Sequence, residues 1–197
     1  MEVKTIAVIG AGSVGRGVAY AAAFGGYRTV VEDISQEALD AAIEWIKRAF
    51  DEGVQGGIVD TVLRDRALVL VSTAMRVEDA IREADLIVEA VADEMEMKLE
   101  LFTIFDKFAK PGAIFASSTR TLSIAEISDV TVHRERCVGL RFFDPVQQTR
   151  SIEVIRTPFT SNETVAACRE MAHRMRKGAV VIEEAPGMAA GRGHAAS

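Results

Sequence analysis

Short apolar runs and amphipathic stretches take turns along this chain. Thr5–Ile9 is a β-branched run closed by Gly10, and it predicts a buried strand. Residues 14–24 are rich in alanine and predict a helix lying close on a sheet, stopped by Gly25 and Gly26. A second strand is expected at 29–31. A helix capped by Ser35 follows and runs to about Phe50. Residues 53–57 read as a loop, 59–65 as a short helix and 68–71 as a third strand. Residues 77–82 predict a helix and 85–90 a fourth strand. Residues 94–110 predict a helix with Leu99, Phe102, Ile104, Phe105 and Phe108 near one side. Pro111-Gly112 ends it before a fifth strand at 113–116. Further strands are expected at 137–140, 152–155 and 180–182, with a helix over Asn162–Arg174.

Strands alternating with helices imply an α/β fold: a doubly wound, mostly parallel sheet with helices on both faces. The chain has 197 residues, within the span of one domain. The expected division is one domain over residues 1–185 and a flexible, Gly- and Ala-rich tail over 186–197.

Charge and composition remove several classes of partner. The net charge is -6 and there is no long basic run, so no phosphate backbone is an expected partner. Aromatic residues make up 6% of the chain, too few for a base-stacking platform. No apolar stretch reaches the roughly 18 residues of a membrane span, and no cleavage site follows the first apolar run. Cys137 and Cys168 have no CxxC spacing. Neither a disulfide framework nor a metal site is expected, and reduced, partly buried cysteines suit a cytoplasmic protein.

The sharpest chemical signal is Gly10-Ala11-Gly12-Ser13-Val14-Gly15. It follows a predicted strand and opens a predicted helix, the context that gives a GxGxxG motif its meaning. Gly10 makes the tight turn, Gly12 leaves room for a pyrophosphate, and Gly15 lets the helix approach the strand. The free N–H groups of that helix start, Ser13 and Val14 included, face the phosphates. Glu32-Asp33 closes the second strand. A carboxylate there accepts from a ribose diol and repels a 2′-phosphate, which favours NAD over NADP. Asp33 could also cap the next helix, and both roles are compatible. Arg28 precedes the strand and is poorly placed for phosphate contacts.

From Ile6 to about Gly187 the chain resembles the 3-hydroxyacyl-CoA dehydrogenases. The resemblance rests on ordered blocks: GAGSVGRGVA at Gly10, ADLIVEAVAD at Ala84, MKLELFTIFDKF at Met97, IFASSTRTLSI at Ile114 and GLRFFDPV at Gly139. EVIRTPFTS at Glu153 and EEAPG at Glu183 continue the series. The resemblance implies a Rossmann domain for NAD, an acyl-CoA or other anionic substrate, and hydride transfer between C3 of the acyl chain and nicotinamide. In such enzymes a histidine takes the hydroxyl proton and a glutamate orients it. A serine and an asparagine hold the substrate oxygen and the histidine.

Here the glutamate matches Glu153, but the histidine position holds Arg141, the serine position Arg120 and the asparagine position Gly191. On the cofactor side the resemblance assigns Asp93, Lys98, Ser118 and Asp144, the last standing where the family has asparagine. Arginine has no acceptor lone pair and keeps its proton, so Arg141 cannot be a general base. Arg141 and Glu153 are expected to form a bidentate ion pair, and with Arg120 they make a cationic pocket suited to a carboxylate or phosphate. His133, His173 and His194 read as surface residues. Lys98 is a proton carrier only if burial lowers its pKa. The family also carries a helical domain of about one hundred residues that closes over acyl-CoA. Its absence from the sequence predicts a homo-oligomer or a partner that supplies that half.

Overall fold

The computed structural model describes residues 2–184. Eight strands form one sheet in the order β3-β2-β1-β4-β5-β6-β7-β8. They are β1 (Thr5–Ile9), β2 (Arg28–Glu32), β3 (Val71–Ala74), β4 (Leu86–Glu89), β5 (Ile114–Ser117), β6 (Cys137–Phe142), β7 (Ser151–Arg156) and β8 (Gly178–Glu183). Strands β1 to β6 pair in parallel, β6 and β7 pair antiparallel, and β8 runs with β7. This is the doubly wound sheet expected from the alternating pattern. The chain reverses its direction of winding between β1 and β4, and a crevice opens at the carboxyl ends of those strands.

Helices cover both faces. α1 (Ser13–Phe24), α2 (Gln36–Gln55) and α7 (Asn162–Arg174) share one core with the sheet. α4 (Val77–Ile81), α5 (Met95–Phe108) and α6 (Ile124–Ser128) share the other. α3 (Thr61–Val69) leans on α1 and α2 near the β3 edge. The spacing of Leu39, Ala42, Ile46 and Phe50 gives α2 a continuous buried stripe. Its start is fixed by Ser35, whose side chain accepts from the Ala38 amide.

Some boundaries fall elsewhere than the pattern suggests. α2 runs through Gly53 to Gln55, so the expected loop at 53–57 is mostly its last turn. Gly53 stays helical because Val59 packs against it, and a Cβ there would come within 2.9 Å of that side chain. The third strand is β3, not 68–71, because Leu68 and Val69 continue α3 after its Asp60 cap. In α5 the buried side chains are Lys98, Leu101, Phe102 and Phe105, while Phe108 is 43% exposed. The short α6 and a 3-10 turn at Arg134–Arg136 have no counterpart in the apolar pattern. Cys137 and Cys168 are free and fully buried, and burial pushes their thiols up to about 11 and about 12. The proposed tail at 186–197 lies outside the described residues. Among the described residues no helix is long and apolar enough to cross a membrane.

Candidate cofactor and active site

The turn after β1 is built by exclusion. Gly10 has φ +102, and a Cβ on it would stand 2.9 Å from the Ala90 carbonyl oxygen. A Cβ on Gly15 would stand 1.8 Å from the Gly10 carbonyl oxygen, so α1 can lie on the turn only as glycine. Above Gly12 nothing comes within 4 Å of a built Cβ. Open space therefore sits where the sequence places the pyrophosphate. Gly12 is the N-cap of α1, with no side-chain cap and no acid in the first turn. The amides of Ser13, Val14 and Gly15 are left to an outside acceptor, and the helix dipole favours an anion.

Asp33 stands beside this turn. Its Oδ2 accepts from the Ala11 amide at 2.9 Å and its Oδ1 from the Ser35 amide at 2.9 Å. It does not cap α2, since Ser35 does. Instead it ties the glycine turn to the end of β2, and each oxygen keeps a lone pair for a ribose hydroxyl. Arg28 opens β2 at the other end of the strand, far from the phosphate turn. A groove of about 510 Å³ runs from Gly10 and Gly12 past Glu32 and Asp33 to Val91, Leu101 and Ile104. Its size and mostly apolar walls suit a nucleoside.

A buried network underlies the middle of the crevice. Lys98 donates to Glu89 Oε1 at 2.7 Å, and both side chains are fully buried. The Val91 amide and Ser117 Oγ donate to the same carboxylate at 2.8 and 2.6 Å. Lys98 also lies 3.4 Å from Asp93, which accepts from the Arg120 amide and Thr121 Oγ1. Burial opposes charge on Asp93. Donors from Thr119 and Arg120, and the Lys98 ammonium, outweigh it and hold the carboxyl below the usual carboxylate range.

Lys98, assigned to the cofactor side by the resemblance, lies sealed beneath the surface of the crevice. It fixes Asp93 and the ends of β4 and β5, where Ser118 donates its amide to the Glu89 carbonyl oxygen. Its ammonium is held between two carboxylates. Glu89 was not singled out from the sequence. Its signal is an acid closing the otherwise apolar run of β4.

At the far side, β6 and β7 place Arg141 directly opposite Glu153. Arg141 Nη1 donates to Glu153 Oε2 at 2.8 Å. The pair is not bidentate. Nη2 turns to the Arg120 carbonyl oxygen at 3.2 Å and Nε to that of Thr119 at 3.5 Å, so the guanidinium also staples the loop after β5. Arg120 is exposed on that loop, and Asp144 is exposed after β6. His133 pairs with Glu135 at 3.3 Å on the surface, and His173 is exposed on α7. His194 and Gly191 lie outside the described residues. Among the described residues, no three His, Cys, Asp or Glu side chains gather as a metal site.

Comparison with known proteins decides the family. The profile of the 3-hydroxyacyl-CoA dehydrogenase NAD-binding domain matches residues 5–185. The chain belongs to this family. It is 34% identical to a probable 3-hydroxybutyryl-CoA dehydrogenase of Bacillus subtilis, over 98% of this chain and 67% of that protein. It is 33% identical to the human mitochondrial hydroxyacyl-coenzyme A dehydrogenase, over 96% of this chain and 62% of the relative. The crystal structure of 3-hydroxybutyryl-CoA dehydrogenase from Escherichia coli superposes with a TM-score of 0.90 at 31% identity, covering 95% of this chain and 39% of that one. The chain therefore spans 67% and 62% of the lengths of the Bacillus and human relatives. Its cofactor is NAD, and the open glycine turn, the uncapped first turn of α1 and Asp33 fit that dinucleotide.

Proposed function

We propose that this chain is an NAD-binding dehydrogenase-type protein whose substrate-side residues no longer move a proton. The observation that carries this reading is the Arg141–Glu153 contact at 2.8 Å, with the other guanidinium nitrogens turned to the Thr119 and Arg120 carbonyls. Bound NAD supplies a hydride acceptor, and NADH a donor. The chain's part is to hold the pyrophosphate on the first turn of α1, the adenine ribose on Asp33, and the nicotinamide end near Asp93, Ser118 and Asp144.

Beside that end the family's chemistry needs a base for the 3-hydroxyl proton. Arg141 offers positive charge and no lone pair, so it can steady an alkoxide but cannot take a proton. A missing general base costs about 10²–10⁴ in rate. The substrate class is a 3-hydroxyacyl-CoA or another small anionic molecule drawn by Arg120. A homo-oligomer or a partner supplying a helical half that covers the acyl chain belongs to the same proposal, as do the domain limits 1–185.

The test is NADH oxidation with acetoacetyl-CoA beside a titration of NADH binding. The expected result is saturable NADH binding with turnover at or near background. Brisk turnover by the unaltered chain would overturn the reading.

A further inference from the structure

The floor of the nucleoside groove holds a polar group that the NAD fingerprint does not use. Glu32 precedes Asp33 and is 3% exposed. Alternation along β2 sends it to the opposite face of the sheet from Val31, towards α4 and α5. It lines the groove together with Val77, Val91, Leu101 and Ile104. Its Oε1 is buried and has no hydrogen-bond partner. A buried carboxyl without a donor is costly, and such orphans ask for an explanation.

The surroundings say which form of the carboxyl the groove holds. Asp33 follows it just after β2, Glu78 on α4 adds its charge and Glu100 lines the groove from α5. From β1, β3 and the turn after β4 the neighbours are Ile9, Gly10, Ala74, Val91 and Ala92, none of them titratable. Arg76 leans on Glu78 at 3.6 Å and is mostly exposed, and no cation is among the groups that set the Glu32 carboxyl. Burial first, then the charges of Asp33 and Glu78, pushes the Glu32 carboxyl up to about 7. A neutral carboxyl carries one donor and one acceptor side by side. The edge of an adenine offers the matching set, a ring nitrogen beside an amino group.

We propose that Glu32 is a base-reading residue: as a neutral acid it pairs with the adenine of NAD, and the cofactor's affinity depends on its proton. This deepens the NAD reading of the groove and rests on it. The carboxyl O–H donates to a ring nitrogen while its carbonyl oxygen accepts from the amino group. Ionised Glu32 loses the donor and presents a charge to the ring nitrogen.

The test titrates the full chain calorimetrically with ADP-ribose, which keeps the adenosine end and omits nicotinamide, from about pH 6 to about pH 8.5. By proton linkage the affinity falls roughly tenfold or more across this window. Glu32→Gln keeps a donor and an acceptor, so it holds the low-pH affinity and loses the slope. Glu32→Leu loses both the slope and the low-pH affinity. A flat profile for the unaltered chain overturns the proposal. So does an unchanged slope in Glu32→Gln, or full low-pH affinity in Glu32→Leu. If ADP-ribose fails to bind at any pH, the NAD reading falls and takes this inference with it; binding that ignores pH sinks the inference alone.

Discussion

The two ends of the crevice have fared differently. At the adenosine end the constraints of a dinucleotide site are met by backbone and by residues that cannot be exchanged freely: Gly10 at φ +102, Gly15 where a Cβ would stand 1.8 Å from the Gly10 carbonyl oxygen, Asp33 tied to Ala11. At the other end the same scaffold positions the Arg141–Glu153 charge pair on neighbouring strands in register, which the proposed function reads as standing where a proton relay would be. The fold tolerates this because β6 and β7 are held by their ladder and by Leu140, Ile152 and Val154, not by the identity of the side chain at 141. Cofactor binding is written into the turn geometry. Proton transfer hangs on single side chains projecting from it, so it can be lost without disturbing the rest.

The strongest way to break this contrast is to restore the relay. Arg141→His with Arg120→Ser should raise NADH oxidation with acetoacetyl-CoA by about 10²–10⁴-fold while leaving the NADH dissociation constant within a factor of two. A gain in rate with unchanged binding locates the deficit in those side chains. No gain, in a variant that still binds NADH, places it elsewhere.

The next effect tests what the two ends share. Lys98→Met strands Glu89 without its cation, and both groups are fully buried. Removing one partner of such a pair costs about 3–5 kcal/mol, read as a drop in melting temperature. A loss under about 1 kcal/mol would show that the network is ornamental.

Much of this architecture is legible in the sequence, and the exceptions have physical causes. β1, α1 and α7 are marked by local signals: a β-branched run ending in glycine, an alanine-rich helix, and a Ser161 cap whose side chain accepts from Thr164. The end of α2 is not, because Gly53 reads as a loop until Val59 is packed on it. α6 is five residues long, and its start is secured by Glu184, which accepts from the amides of Ile124 and Ala125 from 60 and 59 residues away. Beside that distant contact, Ser123 caps α6 locally by accepting from the Glu126 amide, a signal the apolar pattern does not carry. In the site, the glycine motif and Asp33 are visible as types at a spacing. The burial of Lys98 and the orphaned oxygen of Glu32 are properties of the packed crevice, and a one-dimensional reading records only that both residues are charged.

A third prediction sharpens the adenosine end through stability. The Glu32 carboxyl keeps its proton up to about 7 in the folded chain, against a reference of 4.5. The folded state therefore binds the extra proton between those values. Stability is greatest below the lower value, is lost as pH rises through the window, and is level above the upper one. Glu32→Gln removes that loss. Its unfolding free energy relative to the unaltered chain, followed by denaturant titration, should rise from pH 5 to pH 8 by on the order of 2 kcal/mol after allowing for water in the groove. A difference that stays constant with pH would mean that Glu32 is ionised in the fold throughout.

The smallest effect belongs to the Arg141–Glu153 pair itself. Arg141 and Glu153 each keep about a fifth of their side-chain surface, at 21% and 22%. Water and salt screen such a contact, and Glu153→Gln should cost no more than about 1 kcal/mol, less at high ionic strength. Its consequence for ligands should be clearer than its cost. With Glu153 neutralised, the Arg141 guanidinium keeps only its two carbonyl contacts and gains an unmet positive charge beside Arg120. Small carboxylates should then raise the melting temperature of Glu153→Gln more than they raise that of the unaltered chain, and neutral amides of the same shape should do neither. If both proteins respond alike to the anions, the guanidinium was never quenched by Glu153, and the substrate end is a working anion site already.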